Sequence, residues 1–221
     1  MLEFAKREIV AIINGQRAGD LPEWTDDAII GYEDISDYQY DIVDIKYSEH
    51  QSIKRGFKQG TASYITINEG NIVPLRFIFY DEFISQFNKQ ELNQNWVRGI
   101  KSADYLVYDS SAAKKYFIIH ELSNGTFQNK RKDAMYQFDR TLKMLLASDV
   151  IRNCINQYVH KICIITSGDS EVETPMDMAN GFMAIYNVLP DPITIFPGRY
   201  DKFGFKAYQT RYINLIDNYF N

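Results

Sequence analysis

Cysteine and histidine are scarce in this chain: two cysteines and three histidines in 221 residues. Cys154 and Cys163 form no C-x-x-C pair, and neither has a histidine at zinc-ligand spacing, which argues against a zinc site or a disulfide framework. Cys154 falls in a helical pattern and Cys163 in the apolar run Ile162-Cys163-Ile164-Ile165, so both read as small core residues in a reducing compartment. No apolar run approaches the length of a membrane span. The opening residues, MLEFAKREIVAII, mix charge into a short apolar pattern and read as an amphipathic helix, not a cleavable leader. A cytoplasmic location without membrane contact is therefore expected. Repeats and low-complexity linkers are also absent, so one domain over residues 1–221 is expected.

What is present is ordinary in amount and uneven in distribution. Apolar residues make up 45% and charged residues 24%, enough for a chain of this length to bury its own core. The net charge of −5 argues against polyanion binding by the whole surface. Residues 1–96 carry nine basic and sixteen acidic side chains, a net of −7. Residues 97–143 carry nine basic and five acidic, a net of +4. Screening confines each charge to about 10 Å, so a local basic surface can act on an acidic protein. Solvated lysines on a helix are the plainer explanation, and the sequence leaves both open.

Hydrophobic periodicity outlines the elements. Residues 1–14 read as a helix closed by Asn14-Gly15. Glu33, Asp34, Asp37, Asp41 and Asp44 fit no Ca²⁺ loop and suggest an acidic face with half-buried aromatics. Residues 63–67 and 72–80 read as a β-hairpin turning at Gly70, with Pro74 marking an edge or bulge. A helix is expected over 81–96 and a closing helix over 209–219. Between these lie strands at 103–108 and 116–122, a turn at 109–115, a helix at 129–148 and a buried strand at 161–166.

Chemistry concentrates in that middle order. Opposed residues of an antiparallel pair have numbers with a constant sum, so a turn centred near Ala112–Ala113 sets Asp104 opposite Glu121. Asp109 falls at the far end. Alternation puts Glu121 and Ser123 on one face and His120 on the other. Glu121 interrupts an apolar strand, and a buried carboxylate needs a proton, a hydrogen bond or a cation. A second carboxylate beside it sharpens that need unless an ion lies between them, and Mg²⁺ prefers such oxygen ligands. His120 reads as a satisfied core histidine in preference to a general base.

The run Ala103-Asp104-Tyr105-Leu106-Val107, with Glu121-Leu122-Ser123 following so that sixteen residues separate Asp104 from Glu121, resembles the D…(D/E)-x-K signature of the PD-(D/E)XK, or restriction-endonuclease-like, nucleases. The resemblance covers residues 96–166 and includes the helix and strand that follow. It implies an α/β fold: a restriction-endonuclease-like core, a mixed central sheet flanked by helices, with residues 1–95 and 167–221 as additions. It also implies that Asp104, Glu121 and the Leu122 carbonyl hold Mg²⁺ or Mn²⁺ for phosphodiester hydrolysis in DNA, or less readily RNA. Gln137 resembles the glutamine that many members place on the following helix. A twofold homodimer would suit cleavage of both strands.

Ser123 stands where the signature has lysine. Some members move that lysine to the neighbouring helix. Lys130 lies seven residues from Gln137 on one helical face and could serve; a solvated helix start is its plainer role. Two readings remain beside the nuclease. One is an inactive relative acting as a nucleic-acid-binding or protein-interaction module. The other is an unrelated α+β domain in which the carboxylates only accept hydrogen bonds.

Overall fold

A computed structural model of the protein describes residues 2–15, 28–42, 62–68, 70–87, 102–124, 127–168, 191–215 and 219–220. The chain is α/β, built on a large mixed sheet with few helices among the described residues. In chain order these elements are α1 (Leu2–Gly15), β1 (Tyr32–Ile35), β2 (Gln39–Ile42), β3 (Ala62–Ile65), β4 (Ile67–Asn68), β5 (Asn71–Ile72) and β6 (Leu75–Phe79). They continue with α2 (Tyr80–Ser85), β7 (Tyr105–Asp109), β8 (Tyr116–Asn124), α3 (Phe127–Leu146), α4 (Asp149–Ile155), β9 (His160–Gly168), β10 (Ile193–Thr194), β11 (Lys206–Gln209) and β12 (Tyr212–Asn214).

Seven strands form the main sheet in the order β1-β6-β7-β8-β9-β11-β10, and β12-β3-β2 form a second sheet. β7 and β8 run antiparallel, while β8 and β9 run parallel. Alternation along the central strands explains why both faces are apolar. Phe117, Ile119, Cys163 and Ile165 pack with Ala134, Phe138 and Leu142 of α3 on one face. Ile118, Ile162 and Ile164 pack with Tyr40, Tyr64 and Ile213 of the second sheet on the other. Helices and a second sheet therefore sandwich the strands that carry the candidate chemistry. Among the described residues no helix is long and apolar enough to cross a membrane.

His120 ties the two sheets together. It is fully buried, with Nδ1 2.8 Å from the Tyr64 hydroxyl and Nε2 3.1 Å from Thr166 Oγ1. Burial lowers its pKa to about 3, so the ring is neutral, as a core histidine should be.

The turn joining β7 to β8 is held by Asp109. Its carboxylate accepts from the Ser111 N–H at 2.8 Å and from the Lys115 N–H at 2.9 Å. Asp109→Ala would leave two backbone donors without that acceptor, at about 2 kcal/mol. The expected fall in melting temperature is roughly 4–8 °C for a chain of this size, measured by circular dichroism.

Several sequence expectations need correction. The hairpin over 63–80 exists only as the two-residue pair β4–β5, turning at Gly70 with φ +80°. Its outer strands part, because β3 joins the second sheet and β6 the main one. Pro74, which has no N–H to donate, sits where the chain changes sheets, immediately before β6. β6 is an interior strand between β1 and β7. Where the closing helix was expected from 209, residues 209–215 are instead the end of β11, a turn and β12, and residues 216–218 lie outside the described residues. Thr210 makes that turn by accepting from the Tyr212 N–H at 3.2 Å and donating to the Tyr212 carbonyl at 2.7 Å. The helix expected over 81–96 begins at Tyr80 and ends at Ser85, with Gln86 as its C-cap; residues 88–96 lie outside the described residues. The helix expected over 129–148 runs from Phe127 to Leu146, and Ser148 opens a further helix, α4, its hydroxyl capping it by accepting from the Ile151 N–H. Cys163 is buried and Cys154 half-buried.

Candidate metal centre

The register between β7 and β8 pairs Tyr105 with His120. One residue further, Asp104 comes opposite Glu121 at the open end of the hairpin. Asp104 Oδ2 accepts from the Leu122 N–H at 2.7 Å, which fixes its carboxylate over β8. In an extended strand the N–H and C=O of one residue point to the same edge, so the Leu122 carbonyl turns toward Asp104 as well. The main chain of Asp104 is held too. Its carbonyl accepts from the N–H groups of Tyr80 at 3.0 Å and Asp81 at 3.3 Å, the first residues of α2.

Glu121 is only 8% exposed, and its Oε2 has no hydrogen-bond partner. Its pKa is pushed well above the usual carboxyl range, first by burial and next by the Asp104 charge; Asp81 adds in the same direction. A hydrogen bond from Gln137 opposes these effects. Ser123, two residues along the same face and also buried, likewise has an Oγ without a partner. Two neighbouring buried oxygens without partners are unusual, because such groups are nearly always satisfied by protein, water or an ion.

Gln137 is buried on α3 and donates to the Ser102 carbonyl at 3.2 Å. One turn on, Thr141 Oγ1 accepts from the Ala103 N–H at 3.0 Å. These two contacts hold α3 against the entry to β7. Lys130 is half-buried in the first turn of α3. Seven helical residues place it about 10 Å along the axis from Gln137, toward the end of β8 that carries Ser123. The side chains acting on Glu121 are Asp104, Asp81 and Gln137, and no described cation is among them.

Asp81 and Ser102 are the residues that sequence reasoning missed. Ser102 Oγ donates to Asp81 Oδ1 at 2.8 Å. Asp81 sits 23 residues before Asp104, and no local spacing signals the approach. The available hint was an acidic pair, Asp81-Glu82, opening a helix directly after a strand. Among the described residues no group of three or more His, Cys, Asp and Glu side chains forms a metal cluster, so Asp81 acts on Glu121 through its charge. No family model, curated protein or solved structure matches this chain.

The donor set suits a hard divalent cation. Two carboxylates from adjacent strands, a main-chain carbonyl on the same edge and an unpartnered buried Oε2 are the oxygen ligands that Mg²⁺ or Mn²⁺ accepts. The ring of His120 lies on the opposite face, bonded to Tyr64 and Thr166, and takes no part.

Proposed function

We propose that this protein is a metal-dependent nuclease with a restriction-endonuclease-like core, hydrolysing phosphodiester bonds in DNA. The order β7, turn, β8, α3, β9 supports that core, since it matches the order the signature carries. The observation that carries the proposal is the buried, unpartnered Oε2 of Glu121 set opposite Asp104. Asp104, Glu121 and the Leu122 carbonyl would hold Mg²⁺ or Mn²⁺. That ion would polarise a phosphodiester and make a bound water a stronger nucleophile at neutral pH. Gln137 would hold Glu121 in its ligating orientation. Lys130, approaching from the Ser123 end, would supply the positive charge that serine lacks.

The test is cleavage of plasmid and single-stranded DNA by purified protein with Mg²⁺ or Mn²⁺. Glu121→Ala is expected to lower the rate by roughly 100-fold or more, which corresponds to losing about 2.7 kcal/mol of transition-state stabilisation. Lys130→Ala is expected to lower it about tenfold. Cleavage that survives Glu121→Ala would exclude this site.

Ser123 favours a second reading. Its Oγ is buried without a partner and carries no charge, so the position that needs a cation lacks one. In that reading the protein binds the ion and DNA without cutting. Metal binding with no cleavage on any nucleic acid would select it.

A further inference from the structure

α3 presents two different ridges. Gln137 and Thr141 face the candidate metal centre. Residues 131, 135, 139 and 143, each four apart, form another ridge turned toward the segment 196–203. Contacts along its length confirm the pairing of surfaces. The Arg131 guanidinium lies 5.5 Å from the Phe196 ring centre, and the Tyr200 hydroxyl donates to the Met135 carbonyl at 3.3 Å. Arg199 makes a two-pronged ion pair with Asp139, with Nε at 3.0 Å. Between this ridge and the segment runs an open groove of about 660 Å³, lined by Lys143, Arg199, Lys202, Tyr200 and Phe203 among others.

We propose that this groove is a binding track for single-stranded nucleic acid, separate from the Asp104–Glu121 centre. Charge is the first argument. The charged side chains lining the groove are Lys143, Arg199 and Lys202 against one carboxylate, Asp139, on a chain whose total charge is −5. Asp139, the acidic residue lining the groove, is neutralised by Arg199 and serves to aim that guanidinium. Basic side chains gathered on an otherwise acidic protein steer a polyanion to one place.

The second argument is the aromatic surface. Phe203 is a large exposed ring with Lys202 Nζ 4.8 Å from its centre, and exposed Tyr136 carries Arg140 at 4.9 Å. Tyr136 falls three and seven residues before Asp139 and Lys143, on the flank of the same ridge. Cations that follow a backbone, with flat rings beside them for unstacked bases, are what a single strand needs. A duplex keeps its bases stacked and would use only the charges. An acidic protein would likewise leave the rings idle.

The groove does not depend on metal binding, so it is tested with a chelator present. Fluorescence anisotropy with labelled oligo-dT and oligo-U of about 20 nucleotides measures affinity against salt concentration. The wild-type protein is expected to bind both strands, and more tightly than duplex DNA of equal length. Lys143→Gln/Lys202→Gln, two exposed positions, should keep its melting temperature and weaken binding about tenfold. Its log–log salt slope should fall by about 1.4, the loss of two phosphate contacts on a single strand. A difference between the dT and U arms would identify which strand is the preferred ligand. No binding by the wild type at low salt would overturn the proposal. So would undiminished binding by the double variant, equal affinity for duplex, or equal displacement by polyglutamate. Because divalent ions are absent throughout, a failed cleavage assay leaves this result standing, and the reverse holds as well.

Discussion

Glu121→Gln is expected to make the metal-free protein more stable at pH 8, on the order of 2 kcal/mol or roughly 4–8 °C in melting temperature. The sign follows from the raised pKa of Glu121, caused first by burial and next by Asp104. A carboxyl whose folded pKa is raised adds stability below its unfolded pKa of about 4.5. That stability is lost as pH rises through the folded value, because the unfolded chain then releases a proton that the folded chain retains. At pH 8 the wild type must hold either that proton or a buried anion next to Asp104. Glutamine keeps the shape and the Gln137 contact and needs neither. Added Mg²⁺ or Mn²⁺ should reverse the order: the wild type gains about 2.7 kcal/mol at roughly one hundred times its dissociation constant, and Glu121→Gln gains little. A variant less stable than wild type at pH 8, with the same response to metal, would show that Glu121 is already satisfied by the protein.

His120 should govern part of the opposite limb of the pH profile. Its pKa falls from 6.5 to about 3 on burial, and both ring nitrogens are engaged, by Tyr64 and Thr166. A base with a lowered folded pKa gives its full stabilisation above pH 6.5 and loses it as pH falls toward 3, because the unfolded chain takes up the proton first. The loss amounts to on the order of 4–5 kcal/mol at the acid end. His120→Gln removes the titration while leaving an amide to meet at least one partner. The variant should be less stable at pH 7 by about 1–2 kcal/mol, and its melting temperature should fall less steeply between pH 6.5 and pH 4. Parallel profiles for the two proteins would contradict the assignment. Glu121 and His120 are neighbours in sequence on opposite faces of one strand, and they narrow the stability optimum from its two sides.

The part of this architecture written most plainly in the sequence is the β7–β8 hairpin. A short polar turn between two β-rich runs fixes the register, and the register alone places Asp104 opposite Glu121. The same alternation separates Glu121 from His120 and aligns Ser123 with Glu121. Gln137 was indicated only by the resemblance, through the glutamine that many members carry on the helix after the second strand; helical periodicity by itself does not single it out. Contacts that depend on distant segments were not legible. Asp81 reaches the centre only because α2 is hydrogen-bonded to the Asp104 carbonyl. The strands β11 and β12 carry tyrosine and isoleucine at spacings that also fit a helix, and it is pairing with β9 and β3 that decides between them. The parting of β3 from β6 at Pro74 depends on a second sheet whose presence no local pattern announces.

Direct titration with Mn²⁺, followed by the loss of the free-ion paramagnetic resonance signal, examines the central claim without relying on cleavage. The wild-type protein at pH 8 should take up at least one ion per chain, and Asp104→Asn/Glu121→Gln, still folded, should take up none at that affinity. Equal uptake by the two proteins, or none by the wild type, would contradict a divalent-ion site between β7 and β8.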